Sequence, residues 1–322
     1  MNIIAYSLKR TIEAIPLLIL VSLISFSIIK LSPVDPLAEL KLNPTITAQT
    51  LELEKQRLGL DLPFYQQYIH WGWNFLKGNL GVSTSGELVI TRLAERIPNT
   101  LLLSFTTIFM TWIVGLPLGI YAALNWRKPV DRVLTVLSSV GMAIPSFFFA
   151  LLLLVFAVKT GWFPVGGLTS VGFENFSLIH KILDVIHHLI LPTTVLFTIS
   201  LAGLQRQIRA NLLDVLESDY VKMAKAKGLS ENTVVYKHAL RNAINPMVTL
   251  LGFEFASLLS GAALTEYVFQ YPGLGRLVLE AVMKSDINLV MASLMIGSIM
   301  LVMGNLIADI LLHIVDPRIG GN

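Results

Sequence analysis

The sequence predicts an all-α fold, a membrane-embedded bundle of six transmembrane helices. The first observation is composition: 54% of the 322 residues are apolar and 14% are charged, with a mean hydropathy of +0.69. A soluble domain has about 25% charged residues, so this composition is typical of a membrane protein. The second observation is that the apolar residues form six long blocks. The third is that basic residues are concentrated on alternate sides of those blocks, as the orientation rule for membrane helices requires.

Each apolar block has the length of about 20 residues that a helix needs to cross the hydrocarbon layer. The first block is expected to be a retained helix, because its apolar run is longer than the core of a secretory signal peptide. The second, third and fourth blocks are interrupted by Pro117, Pro145 and Pro192, since proline interrupts or bends a helix. The predicted spans are 11–30, 100–124, 133–158, 188–205, 247–268 and 287–312.

The distribution of Lys and Arg predicts that both termini are cytoplasmic. Seven basic residues lie in 206–246 and three in 125–132, whereas the short outer connections 159–187 and 269–286 carry two each. The polar 206–246 segment is therefore expected on the cytoplasmic side, and the long 31–97 loop on the extracytoplasmic side. We find no internal repeat, so residues 1–322 are predicted to form a single transmembrane domain.

Aromatic residues in the 31–97 loop predict an amphipathic helix. Phe64, Tyr68, Trp71 and Phe75 follow the i, i+4, i+7, i+11 spacing that places side chains on one face. Such a helix would rest at the membrane interface and pack on the bundle. The alternative is that it forms a contact surface for an external partner.

The sequence contains no pattern that indicates an enzyme. No Gly is followed by Lys, which excludes a Walker A phosphate loop, and no His-Glu-x-x-His motif is present. Cysteine is absent, so there is no thiolate metal site or redox pair. A net charge of +3 is too small and too scattered to indicate a nucleic-acid partner. We therefore expect no catalytic residue, no metal and no cofactor in this chain.

Polar side chains inside the predicted fifth span are candidates for lining a transport pathway. A charge at this depth costs at least about 2.5 kcal/mol, so Glu254 must face a cavity, pair with another group or be protonated. Ser257 and Ser260 follow on the same span. The alternative for Glu254 is a structural hydrogen bond to a neighbouring helix. For Asp309, near the inner end of the sixth span, we expect a structural pairing.

The 206–246 segment contains signals for two helices joined by a bend. Ser218 and Asp219 are suited to begin the first helix, and Gly228 to follow its end in a left-handed conformation. Ser230 is suited to cap the second helix, which Pro246 is expected to stop. The small residues Ala224, Ala226 and Gly228 are predicted on the outer side, where a groove of another protein could seat the short helix. The alternative is a solvated basic loop that only sets orientation.

The stretch YVKMAKAKGLSENTVVYKHALRNAINP, residues 220–246, resembles the EAA-type loop of ABC-importer permeases. The resemblance is to the first, B-type subunit of the dipeptide, oligopeptide and nickel branch. The glycine and second alanine of the general pattern fall on Gly228 and Ala224, whereas Lys222 and Met223 stand where that pattern has Glu and Ala. Further stretches that resemble this family are 58–61 with 67–68, 78–83, 97–101, 264–266 with 271–276, and 316–318.

The resemblance implies a type I ABC-importer permease in a prokaryotic cytoplasmic (inner) membrane. Such a chain forms the pathway with a second permease subunit, and membrane lipid surrounds it. Two cytoplasmic ATPase subunits would use ATP, and an extracytoplasmic substrate-binding protein would deliver the solute. The ATPase-docking residues carried over or predicted are Asp219, Tyr220, Ala224, Ala226, Gly228, Leu229, Arg241 and Asn242.

The substrate class stays open at the level of sequence. Dipeptides or oligopeptides are favoured, because His residues do not lie in the interiors of the spans. Nickel or a nickel chelate is the first alternative, and glutathione is another. Two further classes are a stand-alone secondary transporter driven by an ion gradient and an intramembrane enzyme.

Overall fold

The computed structural model describes residues 3–31, 37, 41, 46–57 and 61–315. Regular structure in this part of the chain is helical, apart from one isolated bridge between Val82 and Leu88. The all-α prediction is confirmed. The α-helices are α1 (Ile3–Leu31), α2 (Ala48–Arg57), α3 (Phe64–Leu76), α4 (Val89–Leu124), α5 (Pro129–Ala143), α6 (Ser146–Thr160), α7 (Leu178–Leu216), α8 (Asp219–Ala226), α9 (Leu240–Val268), α10 (Leu274–Met283) and α11 (Ile287–Val315).

Several helices of the described residues are long and apolar enough to cross a membrane. Four qualify singly, over Lys9–Ile28, Val89–Leu124, Leu178–Leu216 and Ile287–Ile307, and α5 with α6 makes a fifth if the bent pair is one span. Helix α9 has 29 residues and covers the predicted fifth span, 247–268, but the side chains of several of its residues lie outside the described part of the chain. The total of six spans therefore stays a prediction.

The predicted third span, 133–158, is not a single helix. Helices α5 and α6 meet at 95°, and the break falls at Ile144 and Pro145, both of which are extended. Proline disfavours the helical conformation in the residue before it and has no N–H for the helix ladder. The predicted interruption at Pro145 is confirmed. Pro117 and Pro192, by contrast, lie inside helices that continue past them.

Helices α4 and α7 pack against each other in the middle of the bundle. A Cβ atom at Gly119 would lie 2.7 Å from Cβ of Ile208 and 3.0 Å from the carbonyl oxygen of Gln205. Glycine therefore permits a close approach that other side chains would prevent, as small residues do between membrane helices. Both helices are longer than predicted: α4 begins at Val89 instead of residue 100, and α7 covers 178–216 instead of 188–205.

The aromatic face of α3 packs on α1. The ring of Phe26 lies 5.4, 5.6 and 6.1 Å from the rings of Phe64, Tyr68 and Trp71, respectively. The hydroxyl of Tyr68 is 2.7 Å from the Ser22 hydroxyl of α1. The predicted one-sided aromatic helix is confirmed, and its aromatic face is used within the chain.

Candidate functional site

The backbone of the 206–246 segment bends where the sequence predicts. Helix α8 ends at Ala226, and Gly228 has φ +76°, the left-handed conformation that commonly follows a helix. A Cβ atom at Gly228 would meet nothing within 4 Å, so conformation and not space favours glycine there. The predicted side-chain cap at Ser218 is wrong. Its hydroxyl donates to the carbonyl of Val215, 2.6 Å away, and so does not accept from an N–H of α8.

One face of α8 is buried against three other helices. Val221 is fully buried and Ala224 is 7% exposed, three residues apart on the same face. The prediction that Ala224 lies on the outer side is therefore wrong, because the spacing from Val221 places it in the core. The buried cluster contains Ile120 and Ala123 of α4, Leu204, Ile208 and Leu212 of α7, Val221 and Ala224 of α8, Val234 and Ala239 before α9, and Ala243 and Met247 of α9.

The opposite face of α8 is exposed and partly apolar. Tyr220, Met223 and Ala226 recur every third residue, and all three are exposed. Leu229 continues this surface beyond the bend and is also exposed. The predicted outer position is confirmed for Ala226 and Gly228. Helix α8 is therefore a short amphipathic helix, fixed by one face and open on the other.

The remaining residues predicted for docking lie around α8. The side-chain amide of Asn242 donates to the hydroxyl of Tyr220 over 2.7 Å, which ties the start of α9 to α8. Arg241, beside it, is exposed. Asp219 is the first residue of α8, and its carboxylate lies 3.4 Å from the amine of Lys222. Because both groups are well exposed, that ion pair contributes little to stability.

The second predicted helix is continuous with α9. The hydroxyl of Ser230 accepts a hydrogen bond from the Thr233 N–H over 3.4 Å, as predicted for a cap. Residues Thr233–Ala239 form a π-helical stretch that leads directly into α9. Pro246 lies inside α9 and does not stop it, contrary to prediction. A proline is tolerated inside a membrane helix when neighbouring groups satisfy the backbone that it frees.

An ion pair that sequence reasoning missed connects this region to α5. Arg209 of α7 donates to both carboxylate oxygens of Asp131, over 2.5 and 2.9 Å, and the N–H of Arg127 donates to the same carboxylate over 3.0 Å. The side chain of Asp131 is 4% exposed and that of Arg209 is 24% exposed. The hydrogen bond from Arg209 holds the pKa of Asp131 below its usual value, despite the opposing effect of burial.

The polar residues predicted for a pathway are only partly described. Glu254 is half-buried, and its carboxylate accepts a hydrogen bond from the indole N–H of Trp112 over 3.1 Å. The hydroxyl of Ser200 is near the same carboxylate. Glu254 therefore joins α9 to α4, which is the structural alternative given above. The side chains of Ser257, Ser260 and Asp309 lie outside the described residues.

A second buried acid, Glu266, organises the turn between α9 and α10. Its carboxylate accepts hydrogen bonds from the Thr100 hydroxyl over 2.8 Å and from the Arg276 N–H over 2.9 Å. The hydroxyl of Thr100 in turn accepts from the Leu274 N–H over 2.6 Å. Gly273 leaves room for the carboxylate, since a Cβ there would lie 2.2 Å from it. This network fixes the α9–α10 turn to α4.

Comparison with known proteins supports the same assignment across the whole chain. Residues 115–321 match the family described as binding-protein-dependent transport system inner membrane component, and residues 3–104 match its N-terminal companion family. The oligopeptide transport system permease protein AppB of Bacillus subtilis (strain 168) is 41% identical over 318 residues, covering 98% of this chain and 99% of that protein. The glutathione transport system permease protein GsiC of Escherichia coli (strain K12) is 37% identical, and the di/tripeptide transport system permease protein DppB of Pseudomonas aeruginosa (strain UCBPP-PA14) is 36% identical, each over 98% of both chains.

A solved structure shows the same fold. A chain of the MetNI methionine ABC transporter, in inward-facing conformations, superposes with a TM-score of 0.55 at 17% identity, over 69% of this chain and 95% of that one. At this identity the likeness concerns the fold alone. The family follows from the sequence matches: the chain is a multi-pass membrane protein that belongs to the inner membrane components of binding-protein-dependent transport systems, the ABC-importer permeases that its sequence resembles.

Proposed function

We propose that this chain is a permease subunit of an ATP-driven peptide importer and that α8 is the element on which an ATPase subunit docks. The observation that carries the proposal is the two-sided burial of α8. Val221 and Ala224 fix one face in the core, while Tyr220 and Met223 are exposed on the other. An amphipathic helix whose outer face fills a groove is a common mode of recognition between proteins.

The anchoring of α8 suits the transmission of force. The buried cluster joins α8 to α4, α7 and α9, so a displacement of α8 acts on all three helices. The ion pair between Arg209 and Asp131 adds α5 to the same body. A solvated loop that served only to set orientation would need neither the buried face nor the ion pair.

The partners follow from this arrangement and from the family. A second permease subunit would complete the pathway, two ATPase subunits would bind and hydrolyse ATP, and a substrate-binding protein would deliver the solute. Helix α8 would then lie on the cytoplasmic side of the membrane, and both termini would lie on the same side. This orientation agrees with the basic residues of the 206–246 segment. The chain itself binds no nucleotide in this proposal.

A peptide is the substrate class that the comparisons favour. Relatives of nearly full length are named for oligopeptides, di/tripeptides and glutathione, which is itself a peptide. These names favour a peptide over nickel. Glu254 stays the pathway candidate of this proposal, in a pathway that would form only with a second permease subunit; within this chain its carboxylate is held by Trp112.

The docking proposal is tested by placing a charge on the exposed face of α8. Met223→Glu puts a carboxylate where a groove would close over the helix, so we expect loss of ATPase co-purification and of ATP-dependent peptide uptake. Met283→Glu, on α10, is the matched control, because the two methionines are 59% and 62% exposed. The control should keep both properties, since surface substitutions outside an interface usually change stability by less than about 0.5 kcal/mol.

Two outcomes contradict the proposal. If Met223→Glu co-purifies with the ATPases and imports peptide as the unaltered chain does, α8 is not the docking element. If the isolated chain in proteoliposomes imports peptide with an ion gradient and without ATP, the chain is a secondary transporter. Insertion of both variants into the membrane is measured in parallel, so that loss of docking is distinguished from loss of folding.

A further inference from the structure

An apolar groove of about 700 Å³ runs between α4 and α7, away from the 206–246 segment. It follows α7 from Lys181 to Thr198, about 25 Å along the helix at 1.5 Å per residue. Its walls are mostly branched aliphatic side chains of α7 facing long apolar side chains of α4. The lining includes Lys181, Ile190, Thr193 and Thr194 of α7 and Thr106 of α4.

One end of the groove carries a positive charge. Lys181 lines it, and its amine lies 5.4 Å from the centre of the Phe173 ring, another lining residue. The amine is 4.0 Å from the carboxylate of Glu174, but that side chain is 93% exposed, so the pair is weak. Asp184, one turn along α7, accepts hydrogen bonds from Ser170 and does not line the groove. The groove therefore combines a long apolar channel with a cation at its mouth.

Most hydroxyl groups of the lining are satisfied within their own helices. The hydroxyls of Thr106 and Thr194 donate to carbonyls of their own helices, over 2.7 Å in each case. The lining contains no glycine or alanine, two of the residues that let membrane helices approach closely, and its small residues are threonines. The hydroxyl of Thr193, a residue 8% exposed, is buried without a hydrogen-bond partner. An acyl chain needs only the apolar walls.

We propose that this groove is a binding site for a phospholipid with an anionic headgroup. One acyl chain lies between α4 and α7, and the phosphate is held at Lys181 at the mouth. The aliphatic walls supply contact area, whereas the amine supplies selectivity for negative charge. The inference does not depend on the proposed transport function.

The experiment is native mass spectrometry of the purified full-length chain with either palmitoyl-oleoyl phosphatidylglycerol or the phosphatidylcholine of the same chains. We expect one retained phosphatidylglycerol and weaker retention of phosphatidylcholine. Lys181→Gln should weaken the binding of phosphatidylglycerol about fivefold, which is the order of effect of one basic side chain at an anionic surface. The binding of phosphatidylcholine should not change. Lys159→Gln is the control, since Lys159 is an exposed cation that does not line the groove.

A second pair of variants tests the apolar part. Ile190→Trp fills the groove and should lower retention of both lipids, whereas Leu152→Trp, on an exposed position of α6, should not. The proposal is overturned if Lys159→Gln lowers the retention of phosphatidylglycerol as much as Lys181→Gln does. It is also overturned if Ile190→Trp retains lipid normally but no longer co-purifies with a second permease subunit, because the groove is then a contact between helices.

Discussion

Removal of Arg209 should expose how strongly the 206–246 region depends on one buried carboxylate. In Arg209→Met the carboxylate of Asp131, 4% exposed, keeps one hydrogen-bond donor among the described residues, the Arg127 N–H. Breaking a buried ion pair by removing one partner costs about 3 to 5 kcal/mol, since the other charge is left uncompensated. Asp131→Asn should cost less, because Arg209 is 24% exposed and can turn toward solvent. The double variant should therefore be more stable than Arg209→Met alone.

The assay is thermal unfolding of the detergent-solubilised chain, with a double-mutant cycle to isolate the coupling energy. The pH dependence of that stability is a second measurement. The ion pair holds the pKa of Asp131 below its ordinary value of 3.8. Its contribution is complete above that value and is lost as pH falls through the lower folded value. In Arg209→Met, burial favours the protonated form of Asp131. Low pH should therefore narrow the difference in stability between this variant and the unaltered chain. Additive single effects, or a difference that widens in acid, would refute this reasoning.

Two further substitutions address the buried acids. Glu254→Gln can keep the hydrogen bond from Trp112, so the complex should assemble normally. If the charge acts in the pathway, peptide uptake should change. A loss of assembled complex that matches the loss of uptake would contradict that role. Glu266→Gln replaces one of the two acceptor oxygens by an NH2 group, so either the Thr100 hydroxyl or the Arg276 N–H loses its acceptor, and the chain should be destabilised by about 1 to 3 kcal/mol. Faster amide exchange at residues 271–276 is the expected signature, and unchanged exchange there would show that the carboxylate does not fix the turn.

Local signals in the sequence predicted the local features. The bend at Gly228 depends on a conformation that glycine adopts most readily, and the face shared by Phe64, Tyr68 and Trp71 depends only on helical spacing. Both features could be predicted without knowing which other parts of the chain pack against them. The all-α membrane fold likewise follows from the length and composition of the apolar blocks.

Features that depend on distant partners could not be predicted in this way. Asp131 and Arg209 are 78 residues apart, and only the packing of α5 on α7 brings them together. The inward position of Ala224 requires knowing which face of α8 meets the core, and a small residue suits either face. Pro145 breaks its helix while Pro246 does not, although the same ring is present in both. The difference lies in what surrounds each proline.

The packing of α8 also limits how a force applied to it can spread. Helix α7 is continuous over 39 residues, about 60 Å at 1.5 Å per residue, from the groove mouth to the start of α8. Its last turns share one buried cluster with α4, α8 and α9. Because close-packed cores resist gradual deformation, a displacement of α8 must move these helix ends together or separate them altogether. At their far ends, Glu266 joins α9 to Thr100 of α4, so these two helices are tied at both ends. The break at Ile144 and Pro145, by contrast, already interrupts the helical backbone between α5 and α6. A change between two states of this bundle is therefore better accommodated between α5 and α6 than by bending α4, α7 or α9.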